Sequence, residues 1–94
     1  MAQAYTILGN IYSANATGTA ADAYTNSSTR PVIVRVASAI GVHVDTNVTA
    51  TVASAFIPGN TVELINVDPG KSLSVIKAAS ETDAPVIVTS IALV

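Results

Sequence analysis

The residues able to do chemistry are few and far apart. His43 is the single histidine, set between two valines in "GVHVD". Catalysis or metal binding would need other groups converging on its ring. Asp45, two residues on, merely shares its strand face, and no Ser-His-Asp order can be drawn through the pair. His43 therefore reads as a surface or packing residue. The acidic residues Asp22, Asp45, Glu63, Asp68, Glu81 and Asp83 are scattered. Only Glu81 and Asp83 lie close, in "SETDAP", which reads as a solvated turn, and no spacing resembles a calcium loop.

"DPGKS" offers a Gly-Lys-Ser, but it lacks the glycine spacing and the following helix of a phosphate-binding loop. It reads as a hairpin turn. Asp68 can bond the turn backbone, Pro69 presets φ, and Gly70 supplies the positive φ of a type II turn. "IPGN", at 57 to 60, reads in the same way. Four basic residues spread along the chain make no stripe for nucleic acid. The expectation is a protein that is not an enzyme, with no catalytic residue, no cofactor, no metal and no small-molecule substrate.

Three tyrosines, Tyr5, Tyr12 and Tyr24, all fall in the polar first third of the chain. Tyrosine joins a large apolar ring to a polar tip, which suits interfaces. They are the candidate partner contacts, as anchors of an arm laid onto a neighbour. The alternative is that they cap the open ends of a sandwich.

The elements that would position these residues are strands. Residues 1–30 read as an N-terminal arm with one possible strand around Tyr5 to Leu8, extending toward Tyr12 past a Gly9-Asn10 turn or bulge. Residues 31–94 read as a β domain. "VIVRVAS" places Val32, Val34 and Val36 on one face, and "GVHVD" pairs Val42 with Val44. "NVTATVA" alternates as a further strand. In "TVELINV", Val62 and Leu64 share a face, while Glu63, Ile65 and Val67 form a mixed face that could in part meet a partner. "SLSVIKA" turns Leu73 and Val75 to the core. The closing apolar run "APVIVTSIALV" is expected inside a sheet or against another subunit, because an exposed apolar edge strand invites aggregation. "PVIV" occurs at 31–34 and again at 85–88, as two inner strands of the same β-branched composition. Short connections favour antiparallel pairing and exclude βαβ units. The fold class is all-β: a small antiparallel sandwich or barrel of about six to seven short strands, with an extended N-terminal arm.

Composition narrows the function classes. Half of the 94 residues are hydrophobic, yet only 4% are aromatic, so the core must come from Val, Ile, Leu and Ala. With no cysteine, neither disulfides nor a thiolate metal site stiffens so short a chain, and association is the remaining remedy. Charged residues are 11%, against about 25% in an average soluble domain, which points to surface that something else covers, or to abundant Ser, Thr and Asn carrying the solubility. A net charge of −2 does not steer the chain to nucleic acid or to an anionic membrane. No run approaches a membrane-spanning helix or a secretory signal, so synthesis in the cytoplasm as a soluble chain is expected. The sequons at Asn15, Asn26 and Asn47 read as by-products of a Thr- and Asn-rich composition.

From Val32 onward, "VRVASAIGVHV", "TATVASAFIPGN", "TVELINVDPG", "KSLSVIKA" and "VIVTSIA" resemble the outline of small tailed-bacteriophage virion proteins of the capsid decoration (cement) type. The resemblance implies a structural protein of the virion that stabilises the assembled head by bridging capsomers. Its implied partners are the major capsid protein and copies of itself, as a homotrimer on the capsid surface. Two alternatives stay open: another minor virion component of tail, collar or short fibre, or a cellular carbohydrate- or protein-binding module. The last would display an exposed aromatic platform.

Overall fold

Alternation in "VIVRVAS" is realised as β3 (Val32–Ser38), in which Val34 and Val36 are wholly buried while Ile33 and Arg35 face the other way. The computed structural model describes residues 4–94, so residues 1–3 of the expected arm lie outside the described residues. The remaining strands are β1 (Tyr5–Ala16), β2 (Ala21–Thr25), β4 (Val42–Asp45), β5 (Ala55–Ile57), β6 (Thr61–Val67), β7 (Ser72–Lys77) and β8 (Ala84–Leu93). They form two four-stranded antiparallel sheets, ordered β1-β8-β3-β6 and β2-β7-β4-β5, and no helix occurs among the described residues. The fold is a β-sandwich.

Its core is aliphatic. Val34, Val36, Val67, Val86 and Val88 of the first sheet meet Val42, Val44, Leu73 and Val75 of the second, with Ala16, Ala23 and Ile57 at the margins. Each fully buried Val or Leu contributes about 1.5–3 kcal/mol relative to exposure, so stability is spread over many modest contributions. The closing strand β8 lies inside the first sheet between β1 and β3, as its apolarity requires.

The turns differ from their reading in the sequence. Lys71 N–H donates to the Asp68 carbonyl at 3.0 Å and Gly70 has φ 76°, as expected for the type II turn. Yet this turn joins β6 in the first sheet to β7 in the second, so it is a corner between sheets and not a hairpin. The reason is Asn26. Its backbone N–H donates to the Lys71 carbonyl at 2.9 Å and its carbonyl accepts from Gly70 at 2.8 Å, so the turn's polar groups bond across to the β2–β3 loop. "IPGN" is likewise a corner, from β5 to β6, and its positive φ of 59° falls on Asn60. Gly59 is needed for another reason: a Cβ there would lie 2.7 Å from the Ala39 carbonyl oxygen. Among the described residues only β4 and β5 form a hairpin between consecutive strands.

Three other readings change. The segment read as an arm with one strand contributes two strands, β1 along β8 and β2 along β7. "NVTATVA" is a loop, because side chains take the backbone groups that a ladder would use. The Asp45 carboxylate accepts N–H bonds from Asn47 and Val48 at 2.7 and 3.0 Å, and Ala50 N–H donates to the Ser74 hydroxyl at 2.9 Å. In β6 the mixed face turns inward: Val67 is fully buried and Ile65 packs on the core, while Val62 and Leu64 point outward. Pairing of Val67 with Val32 and of Ile65 with Val34 sets this register.

Two substitutions check this picture. Val88→Ala should cost about 2–3 kcal/mol of unfolding free energy through lost transfer and a residual cavity. Asn26 is fully buried, its amide donating to the carbonyls of Arg30 and Val67 and its oxygen accepting from Ser28. Asn26→Ala should therefore cost about 2–4 kcal/mol in urea unfolding, since it strands partners in the interior. A cost near zero would show that the Asn26 side chain adds nothing to the backbone bonds that join the two corners.

Candidate binding surfaces

The outer face of the first sheet also carries many apolar side chains. Strand register lays out its rows. Tyr5 lies opposite Leu93; Ile7 pairs Ile91, which pairs Ile33; Ile11, Thr89, Arg35 and Leu64 follow. The last row runs from Ser13 through Ile87 and Ala37 to Val62. Ile7 and Ile11 are 61% and 66% exposed, and Val62, Ile87 and Leu93 more than 40% each. Five of the ten large apolar side chains exposed among the described residues thus share one face. Single exposed aliphatics are ordinary, but a contiguous patch of this kind is a candidate interaction surface. At the end bounded by Ala37, Val62, Pro85 and Ile87 the face dips into a shallow, mostly apolar groove of about 400 Å³.

The sheet edges point the same way. β5 is only three residues long, β2 is broken by a bulge beside Asp22, and β6 carries Glu63 at its rim. Short strands, bulges and charges are the usual guards against unwanted pairing. β1 runs twelve residues without a charge or a proline, and its only guard is the bulge between Ile7 and Ile11, where Gly9 has φ 123°.

The three tyrosines separate. Tyr12 and Tyr24 come together with ring centroids 4.6 Å apart and tilted by 57°, packed on the core where β1 and β2 face each other across the sandwich. They close that side of the molecule. Partial burial, and then the neighbouring Tyr12, push the Tyr24 hydroxyl above its ordinary pKa of 10.0. Tyr5 lies apart from them, half-buried on the outer face opposite Leu93. The aliphatic face itself was missed in the sequence. Its signal lay in the residues between the core positions: Ile33, Ile87 and Ile91 are apolar where a solvated face would be polar.

A second apolar area lies on the β4–β5 arm. Val48 and Val52 are each 62% exposed, and Phe56 is 54% exposed. The Phe56 ring sits 5.3 Å from that of His43, whose Nδ1 lies 2.8 Å from the Ser54 carbonyl oxygen. His43 thus holds the arm's return strand in place. Near the arm's base, Asp22, Asn47, Lys71, Ser72 and Ser74 border an open polar cavity of about 350 Å³, with no aromatic ring in its lining. Among the described residues no cluster of three His, Cys, Asp or Glu side chains could hold a metal ion. Glu81 is engaged structurally, accepting the Gly41 N–H at 2.6 Å, and Asp83 pairs with Lys77 at 2.6 Å on the surface.

No family model matches the chain, and neither the curated proteins nor the solved structures contain a significant match.

The Asp45 turn that shapes the arm makes a pH prediction. Backbone N–H bonds from Asn47 and Val48 hold the Asp45 carboxyl below its ordinary value of 3.8, against a small opposing effect of desolvation. A carboxylate with a depressed folded value stabilises the fold above its unfolded value and loses that contribution as pH falls through the folded one. Melting temperatures of the wild type should therefore fall more steeply than those of Asp45→Asn below pH about 4. Parallel profiles for the two proteins would contradict the role of the carboxylate.

Proposed function

We propose that this chain is a structural binding protein of a virus particle, a capsid decoration protein whose partner is the major capsid protein. One observation carries the reading: a 9.5 kDa domain displays two separate apolar surfaces, a sheet face and a loop arm. A protein that bridges other subunits needs two surfaces, whereas a module that captures one ligand needs one. The turn-and-strand outline from Val32 onward supports the same reading through its resemblance to cement proteins.

The mechanism is linkage. A protein that binds the assembled lattice and not its dissociated parts stabilises the lattice by about 2.7 kcal/mol per site at a hundred times its Kd. Repetition over a shell multiplies weak contacts, so small individual contacts suffice. On this reading the β4–β5 arm, with Val48, Val52 and Phe56, is the part laid on the shell. The Asp45 turn and the Ala50–Ser74 bond hold it in shape before contact, which lowers the entropy lost on docking.

The test is to mix the purified protein with expanded shells of the major capsid protein of the virus that carries it, then pellet the shells and melt them. Saturable co-sedimentation and a higher shell melting temperature are expected. The double variant Val48→Asp/Val52→Asp, folded as judged by its own melt, should bind at least tenfold more weakly. No binding by the wild type, or location on the tail by electron microscopy, would overturn the assignment.

A further inference from the structure

We infer that the outer face of the first sheet is covered by the same face of a second copy of this chain, in a two-fold dimer. The inference goes beyond the shell reading and does not require it.

Charge singles out the occupant. β1 and β8 carry no charged residue at all, and the only outward charge of β3 is Arg35. Arg35 sits half-buried in the row of Ile11, Thr89 and Leu64, and among the described residues no carboxylate lies within ion-pair reach of it. Among the described residues the one acidic side chain on this face is Asp68, at the corner where β6 ends. Asn66, which lies opposite Ile33, donates its side-chain N–H to the Asp68 carboxylate at 2.8 Å and so holds it on the outer side. The face thus carries one positive and one negative group, displaced from each other along the strands. A two-fold axis in the plane of the face exchanges their positions, so that each Arg35 meets the partner's Asp68 and the reverse. In an isologous contact, residue i touches j and j touches i, and this face is complementary to itself in that sense. An axis that superposes the two charges crosses the row of Ile7, Ile91 and Ile33 and leaves apolar side chains opposed to apolar side chains. The resemblance to cement proteins implies a trimer, but the reciprocal charge pair favours two-fold pairing.

Strands of 12, 10, 7 and 7 residues, at about 3.3 Å per residue and about 4.8 Å spacing, outline a face of roughly 550 Å² in projection. The axis through the Ile7 row overlays the rows from Tyr5 to Arg35 and leaves the row of Ser13, Ile87, Ala37 and Val62 outside the contact, which therefore belongs with the smaller specific interfaces, below about 1,200 Å² in total. Two twisted sheets pack face to face with their strands about 30° apart, which is how the two sheets within one sandwich also meet. Tyr5, on the rim of the face, would bring its ring to the edge of the contact.

The test measures mass in solution, by light scattering coupled to size exclusion at about 50 µM chain, well above a micromolar Kd. The wild type should elute at twice the 9.5 kDa chain mass. Arg35→Glu and Asp68→Arg, each alone, should set like charges against each other and weaken association at least tenfold, giving monomers. The combined Arg35→Glu/Asp68→Arg protein should recover the dimer. Because these two side chains do not form an ion pair within one chain, rescue reports contact between chains and not repaired folding. Ile7→Glu, at an exposed position, should also give a folded monomer. A monomeric or trimeric wild type, a dimer indifferent to these changes, or a charge swap without rescue would overturn the inference.

Discussion

Everything in this molecule depends on burying valine against valine. The chain has no cysteine and its rings do not enter the core, so two sheets are held together by side chains that each bury little area. Such a core is stable only if strand alternation is kept without error on both inner faces. It is kept: Val34 and Val36, Val42 and Val44, Leu73 and Val75, and Val86 and Val88 all point inward. A domain of this size buries only about 60% of the surface its unfolded chain exposes, which leaves little margin. The outer face of the first sheet is where further apolar area remains to be buried.

That distribution ties fold to function. Chain crossings from one sheet to the other at nearly every connection interleave the two sheets, and Asn26 locks two of those corners together. The result is a cross-tied block, whose surface carries aliphatic area in two places and little charge. A block of this kind loses little entropy on binding, so even modest contact area can be useful when repeated. Its side chains with chemical potential are engaged in structure: His43 braces the arm, Asp45 turns it, and Glu81 ties one corner to another.

Much of the fold was legible in the sequence, and the exceptions have physical causes. The core positions of β3, β4 and β7 follow from alternation, and the type II geometry at Gly70 follows from Asp-Pro-Gly. Which sheet a strand enters after such a turn did not follow, because the deciding bonds come from Asn26, more than forty residues away. "NVTATVA" has the pattern of a strand, but Asp45 and Ser74 capture its backbone N–H groups. β1 was half visible because the bulge at Gly9 breaks its pattern. The orientation of β6 was misread because an inward Glu63 at a sheet rim looks like a solvated face. The outer apolar face was hidden for a related reason: alternation was used to find one buried face, and the apolar residues between the core positions were not counted as a second one.

The most direct test of the outer face is thermal unfolding of the wild type over a wide range of protein concentration. If that face is covered by another copy, folding is linked to association and the midpoint must climb as concentration rises. A steady rise across a hundredfold range is the expected result. A midpoint that stays constant would contradict it, and would mean that the valine core alone accounts for the stability of the sandwich.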